Sequence, residues 1–155
     1  MKYLNAIIPL ACVLTPTWTL ACSFGGLERD VQFAPSSTHL ESKQVISLTN
    51  WFIEQQNPER ATGGIYSADI FARAIKDDAS SLEKANLRLA EIVKLLRASS
   101  TTASLEVQGY VDEFESKEIR YPERLDILNA TVQPACAKTL SCCKWIEGPA
   151  APTKQ

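Results

Sequence analysis

The stretch YSADIFARAIKDDASSLEKANLRLAEIV, residues 66–93, decides the fold, because it joins a strand candidate carrying an acid, Asp69, to a helix candidate carrying a base, Arg88. Its second half has a clear pattern. Ser80 and Glu83 have the spacing of a capping box, in which a hydroxyl and a carboxylate satisfy backbone donors at a helix start. Apolar residues then recur at helical spacing for about four turns, at Leu82, Ala85, Leu89, Ile92, Val93 and Leu96. The pattern predicts a long amphipathic helix, with Arg88 off its apolar stripe.

The first half of this stretch fits two structures. A strand can run from Ile65 and end at Asp69, which places the acid at a strand end where a ligand can reach it. Alternatively, Ser67 caps a short helix through Asp77, because the apolar residues from Ile70 to Ile75 also lie at helical spacing. In that case Asp69 is an acid in a first helical turn, stabilised by the helix dipole.

Four further elements flank this stretch. Residues 30–34 form a short strand candidate, and Thr38 with Glu41 forms a capping box that predicts a helix carrying the stripe Val45, Leu48 and Phe52. Residues 105–112 alternate apolar and polar, and residues 124–132 form a last strand candidate. The order β-α-β-α-β-β predicts an α+β fold in which a mixed β-sheet is covered by two main helices.

The two ends of the chain differ from the middle. Residues 1–21 carry one cation, an apolar run and a small-residue cleavage pattern, so we predict a signal peptide and an exported protein. No segment is long enough to predict a transmembrane helix. We expect one domain over residues 22–146 and a disordered tail over residues 147–155.

Four cysteines remain after the predicted cleavage: Cys22, Cys136, Cys142 and Cys143. An even number in an exported protein predicts two disulfides, one of which would tie the N-terminus to the C-terminal tail because the adjacent Cys142 and Cys143 rarely bond to each other. Alternatively, Leu20-Ala21-Cys22 resembles a lipoprotein cleavage site, which would make Cys22 a lipid anchor at the outer membrane. Both interpretations place the protein in the cell envelope, in the periplasm.

Charge and motif content exclude several functions. The formal net charge is −2, which argues against nucleic-acid binding, since such proteins cluster Lys and Arg. The single histidine, His39, has no nucleophile or acid at a recognised spacing, and no glycine-rich phosphate loop is present. We therefore predict a non-catalytic protein with no cofactor and no metal site.

Four segments taken in order resemble the OmpA C-terminal-like family of periplasmic peptidoglycan-binding domains. VQFAPSSTHL, residues 31–40, is similar to the family's opening strand and helix start. YSAD, residues 66–69, matches a strand that ends in a small residue and Asp. RLAEIVKLL, residues 88–96, resembles the second helix, and ERLDI, residues 123–127, the closing strand. The resemblance covers residues 30–133 and implies a two-layer sandwich that binds the peptide of peptidoglycan.

The resemblance also implies a ligand site. In the family an acid and an arginine hold a zwitterionic amino-acid end, and the resemblance implies that Asp69 and the neighbouring arginine, Arg88, are the ligand-binding pair. Asp69 aligns directly, whereas the arginine position is occupied by Leu89, with Arg88 one residue earlier; Arg73 is a spare cation. The predicted partner is the peptidoglycan peptide or an envelope protein. The alternative is a periplasmic inhibitor or immunity protein of a cell-wall-degrading enzyme, with residues 70–80 as its inserted loop.

Overall fold

The structure is a computed structural model, and it describes residues 27–118, 120–139 and 141–142. The elements are β1 (Glu28–Gln32), α1 (Ser42–Gln55), β2 (Ile65–Ile75), α2 (Ala79–Ala98), β3 (Glu106–Phe114), β4 (Ile127–Pro134) and the short α3 (Ala135–Lys138). Two 3₁₀ turns, Ser116–Glu118 and Pro122–Asp126, lie between β3 and β4. The predicted α+β class and element order are confirmed.

The strands form one mixed sheet in the order β1-β4-β2-β3. Strand β4 pairs antiparallel with both β1 and β2, whereas β2 and β3 are parallel. Two parallel strands need a crossover, which α2 provides. The carboxyl ends of β2 and β3 therefore lie at the same edge of the sheet.

Both main helices cover the same face of the sheet. Side chains alternate between the two faces of a strand, so the buried positions of β2 all point to the helices: Ala68, Ile70, Ala72 and Ala74. They meet Leu48 and Phe52 of α1 and the stripe of α2 in one apolar core. Neither of the two main helices covers the other face of the sheet.

Strand β2 resolves the ambiguous segment. It continues through Asp69 for six more residues to Ile75, and neither the strand end at Asp69 nor the alternative helix over residues 67–77 is found. Cross-strand hydrogen bonds on both sides hold it extended, with β4 pairing along residues 65–71 and β3 along residues 67–75. Residues 70–75 are thus a central strand and not a free loop, which leaves the inhibitor hypothesis without most of its predicted probe.

Both predicted capping boxes are wrong in detail. The first helix begins at Ser42 with Glu41 as its N-cap, and no side chain caps it. The second begins at Ala79, three residues before the predicted stripe, because Asp78 and not Ser80 is the N-cap. Carboxylates are as effective as hydroxyls in this role, so the Asp78 side chain takes the first free backbone donors.

One disulfide is described, between Cys136 of α3 and Cys142, with an S–S distance of 2.07 Å. The predicted bridge between the two chain ends, the lipid anchor at Cys22, Cys143, the signal peptide and the tail all lie outside the described residues. Within the described ranges, no helix is both long and apolar enough to cross a membrane.

Candidate ligand-binding site

Asp69 lies in the middle of β2, on the face of the sheet that the helices leave uncovered. Its neighbours Ala68 and Ile70 are buried in the core, and alternation along the strand turns Asp69 to the opposite face. Its cross-strand partners are Gln108 in β3 and Thr131 in β4. It is half-buried there, with no hydrogen-bond or ion-pair partner among the described residues.

Arg88 lies on the helix side of the sheet and is almost fully buried, at 1% exposure. Its Nε donates to the carbonyl of Ser37 at 2.7 Å, its Nη1 to that of Leu125 at 3.0 Å and its Nη2 to that of Ala34 at 3.2 Å. An ion pair of 2.8 Å joins Nη2 to Asp126 Oδ1. Although Arg88 lies off the predicted apolar stripe, it is therefore not a solvated helix residue, and it joins three segments inside the protein.

The predicted pair is not brought together. Asp69 and Arg88 lie on opposite faces of the sheet, and the guanidinium of Arg88 is engaged by three carbonyls and one carboxylate. The Phe33 ring covers it as well, with its centroid 4.9 Å from Cζ. Ligand binding by either residue stays a prediction, but the structure provides no common rim for the two.

A mixed-charge cavity does exist at the edge of the sheet where β2 ends and α2 begins. It has a volume of about 140 Å³ and is lined by side chains of both signs, with Asp78 and Asp126 as the acids and Lys84 and Arg73 as the free bases. Ser80, Ser81 and the buried Arg88 complete its polar lining. We refer to it as the strand-end cavity.

The two acids of the strand-end cavity are held in place by contacts that use one oxygen of each. Asp78 Oδ1 accepts from the backbone N–H groups of Ser80 at 3.0 Å and Ser81 at 3.1 Å. Asp126 Oδ1 is fixed by Arg88, and its side chain is 20% exposed. The second oxygen of each carboxylate has no partner within the described residues, so both acids can accept a further donor.

The two free bases are less constrained. Lys84 stands in the second turn of α2 and Arg73 near the end of β2, and both are half-buried. Neither has an ion-pair or hydrogen-bond partner in the described part of the chain. Ser81 Oγ accepts from the backbone N–H of Ile75 at 2.9 Å and so ties the strand end to the helix start. The cavity thus offers acceptors for an ammonium group and donors for a carboxylate on a firm frame.

The sequence did contain a signal for Asp78. An acid at the end of a strand points to Asp69 only if the strand ends there. With β2 extended to Ile75, the acids that follow are Asp77 and Asp78. No comparable sequence pattern points to Lys84 or Asp126, since nothing in the sequence around either residue indicates that it lies beside Asp78 in the fold.

No protein-family model matches this chain, and no curated protein matches it either. Among solved structures, the chain is similar to the OmpA-like domain of FopA1 from Francisella tularensis subsp. tularensis SCHU S4. The TM-score is 0.46 and the sequence identity 12%, over 72% of this chain and 78% of that chain. This similarity is too low to show family membership.

Proposed function

We propose that this protein is an exported, non-catalytic domain of the cell envelope that docks on peptidoglycan by holding the free amino-acid end of a wall peptide. The observation that carries the proposal is the mixed charge of the strand-end cavity. A zwitterionic end needs one group of each sign, and hydrogen bonds between charged groups are the strong ones. Asp78 and Asp126 would take the ammonium group, and Lys84 and Arg73 the carboxylate.

The order of elements supports the same ligand class. The family that the sequence resembles holds its ligand with an acid at the end of a strand and an arginine on the next helix. In this chain Asp78 follows β2 and Lys84 lies on α2, so the two types of group occur in that order, at positions other than Asp69 and Arg88. Arg88 would then act indirectly, by fixing Asp126 through their ion pair.

Binding to isolated sacculi tests the proposal. Asp78→Asn removes the charge but keeps an amide oxygen that can cap the helix, and Lys84→Met keeps the aliphatic stem. A hydrogen bond to a charged group contributes about 1.5–3 kcal/mol, so we expect each substitution to weaken retention of the protein by about tenfold or more. The measurement is the amount of protein that sediments with purified sacculi at increasing sacculus concentration.

Asp69→Asn is the matched control, because it makes the same chemical change at a carboxylate that does not line the strand-end cavity. We expect it to leave retention unchanged. Wild-type protein that does not sediment, or a loss in the Asp69 variant equal to that in the Asp78 variant, would contradict wall binding at the strand-end cavity. In that event, an envelope protein that co-purifies stoichiometrically would identify the partner class instead.

A further inference from the structure

A second cavity, of about 280 Å³, lies at the ends of the parallel strands, beneath the connection from β3 to β4. Arg73 of β2 lines it together with Arg120 and Arg124 of the connection. Glu118 supplies the only acid among its lining residues, so the lining carries a formal charge of +2 in a chain whose net charge is −2. We refer to it as the arginine cavity.

The three arginines of this cavity differ from the other described arginines. Every other described arginine has a hydrogen-bond acceptor or an ion-pair partner, namely Arg29 with Ser47, Arg60 with Glu54, Arg88 with Asp126 and Arg97 with the carbonyl of Val107. Across the described ranges, none of the three has either. A guanidinium carries five donors and no acceptor, so three side chains with donors left over line the same cavity.

The neighbouring residues form no ion pair or hydrogen bond with the side chains of these arginines in the described part of the chain. Glu118 does not neutralise the arginines by an ion pair; its Oε2 accepts the backbone N–H of Glu115 at 3.1 Å. The Tyr121 ring supports Arg124, whose Cζ lies 5.3 Å from the ring centroid. Such cation–π contacts position a guanidinium without using its N–H donors. Phe114 and Leu125 add apolar wall.

We propose that the arginine cavity binds a phosphate group, either free or as the ester of a small organic molecule. Guanidinium groups pair with phosphate through two parallel hydrogen bonds. A carboxylate has only two oxygens to share among three guanidiniums, whereas a phosphate has at least three and a charge near −2 that matches the lining. The apolar wall would contact the organic part of an ester.

This site shares Arg73 with the strand-end cavity but can be tested separately from the proposed docking function. Arg120 and Arg124 line the arginine cavity and do not line the strand-end cavity, although Arg73 and Leu125 are shared. Substitutions at Arg120 and Arg124 should therefore leave retention on sacculi unchanged, and Asp78→Asn should leave phosphate binding unchanged. Failure of one proposal is thus distinguishable from failure of the other.

Calorimetric titration of the full chain tests the phosphate site. We expect one-site, saturable binding of inorganic phosphate and of glycerol 3-phosphate, and no binding of acetate at the same ionic strength. Arg120→Gln and Arg124→Gln should each weaken phosphate binding by about tenfold or more, the loss of one charge-assisted pair. Arg60→Gln, the same change at a surface arginine elsewhere, should have no effect. If glycerol 3-phosphate binds more tightly than inorganic phosphate, the apolar wall contacts the organic part of the ligand.

Three results would overturn the phosphate site: no saturable binding at millimolar phosphate, binding that persists in both arginine variants, or an equal loss in Arg60→Gln. Thermal melting followed by circular dichroism checks that each variant is folded. If Arg124→Gln unfolds because it loses its contact with Tyr121, the titration of Arg120→Gln, at an exposed residue, decides the test.

Discussion

Replacing Arg88 by methionine will lower the free energy of unfolding by about 3–5 kcal/mol, the range found when one partner of a buried ion pair is removed. The methionine fills part of the space but donates no hydrogen bond. The carbonyls of Ala34, Ser37 and Leu125 and the carboxylate of Asp126 then lose their donor at a site where Arg88 is only 1% exposed. Buried acceptors without a donor are costly because they have also lost water.

Urea unfolding followed by circular dichroism measures this loss. Arg60→Met is the control, since Arg60 pairs with Glu54 at the surface, and exposed pairs contribute at most about 1 kcal/mol. Arg88→Lys should fall between the two, because an ammonium group has three donors and cannot serve four acceptors that surround a planar guanidinium. A loss for Arg88→Met no larger than that of the control would contradict the assigned role of Arg88.

Arg88 also shows where sequence reasoning stopped. Its helix was predicted correctly from the spacing of apolar residues, but its burial was not, because three of its acceptors are backbone carbonyls at sequence separations of 51, 37 and 54 residues. A backbone carbonyl has no residue identity, so no sequence pattern can mark it as an arginine partner. The local sequence around a buried arginine that lies off the apolar stripe therefore looks the same as that around an exposed arginine.

The fold was more accessible than the site because it depends on periodicity along each segment. The long helix, the strand at β3 and the order of elements follow from local patterns that tertiary contacts did not override. The strand-end cavity instead depends on how three segments meet, with Asp78 before α2, Lys84 within it and Asp126 at the end of a 3₁₀ turn. Asp126 lies far along the chain from the other two and reaches them because its turn leads into β4, which pairs with β2.

The position of Asp69 in the fold is difficult to predict because the apolar residues of segment 65–75 fit both helical and strand periodicity. Ile70, Phe71 and Ala74 lie on one face of a helix, yet Ala68, Ile70, Ala72 and Ala74 alternate as in a strand. The small alanines gave a weak signal for either period. Cross-strand pairing with both β3 and β4 selects the strand, and that information lies in other segments of the chain.

Single alanine substitutions at three consecutive residues of β2, Asp69, Ile70 and Phe71, will lower the free energy of unfolding by alternating amounts. The loss for Ile70→Ala will be by far the largest. Ile70 is 0% exposed and packs in the core, and truncation of a buried isoleucine costs about 2–5 kcal/mol because a cavity remains. Asp69→Ala should change the free energy of unfolding by no more than about 0.5 kcal/mol, since this side chain is on the uncovered face with no described partner.

Phe71→Ala tests the third position and separates the strand from the helix alternative. The Phe71 ring stacks with that of Tyr110 on the uncovered face, with ring centroids 5.3 Å apart, so its truncation should cost about 1 kcal/mol, less than that of Ile70. A helix over residues 67–77 would place Ile70 and Phe71 on one apolar face, and the two losses would then be similar. Urea unfolding of the three variants measures the pattern, and equal losses at residues 70 and 71 would contradict a central strand here.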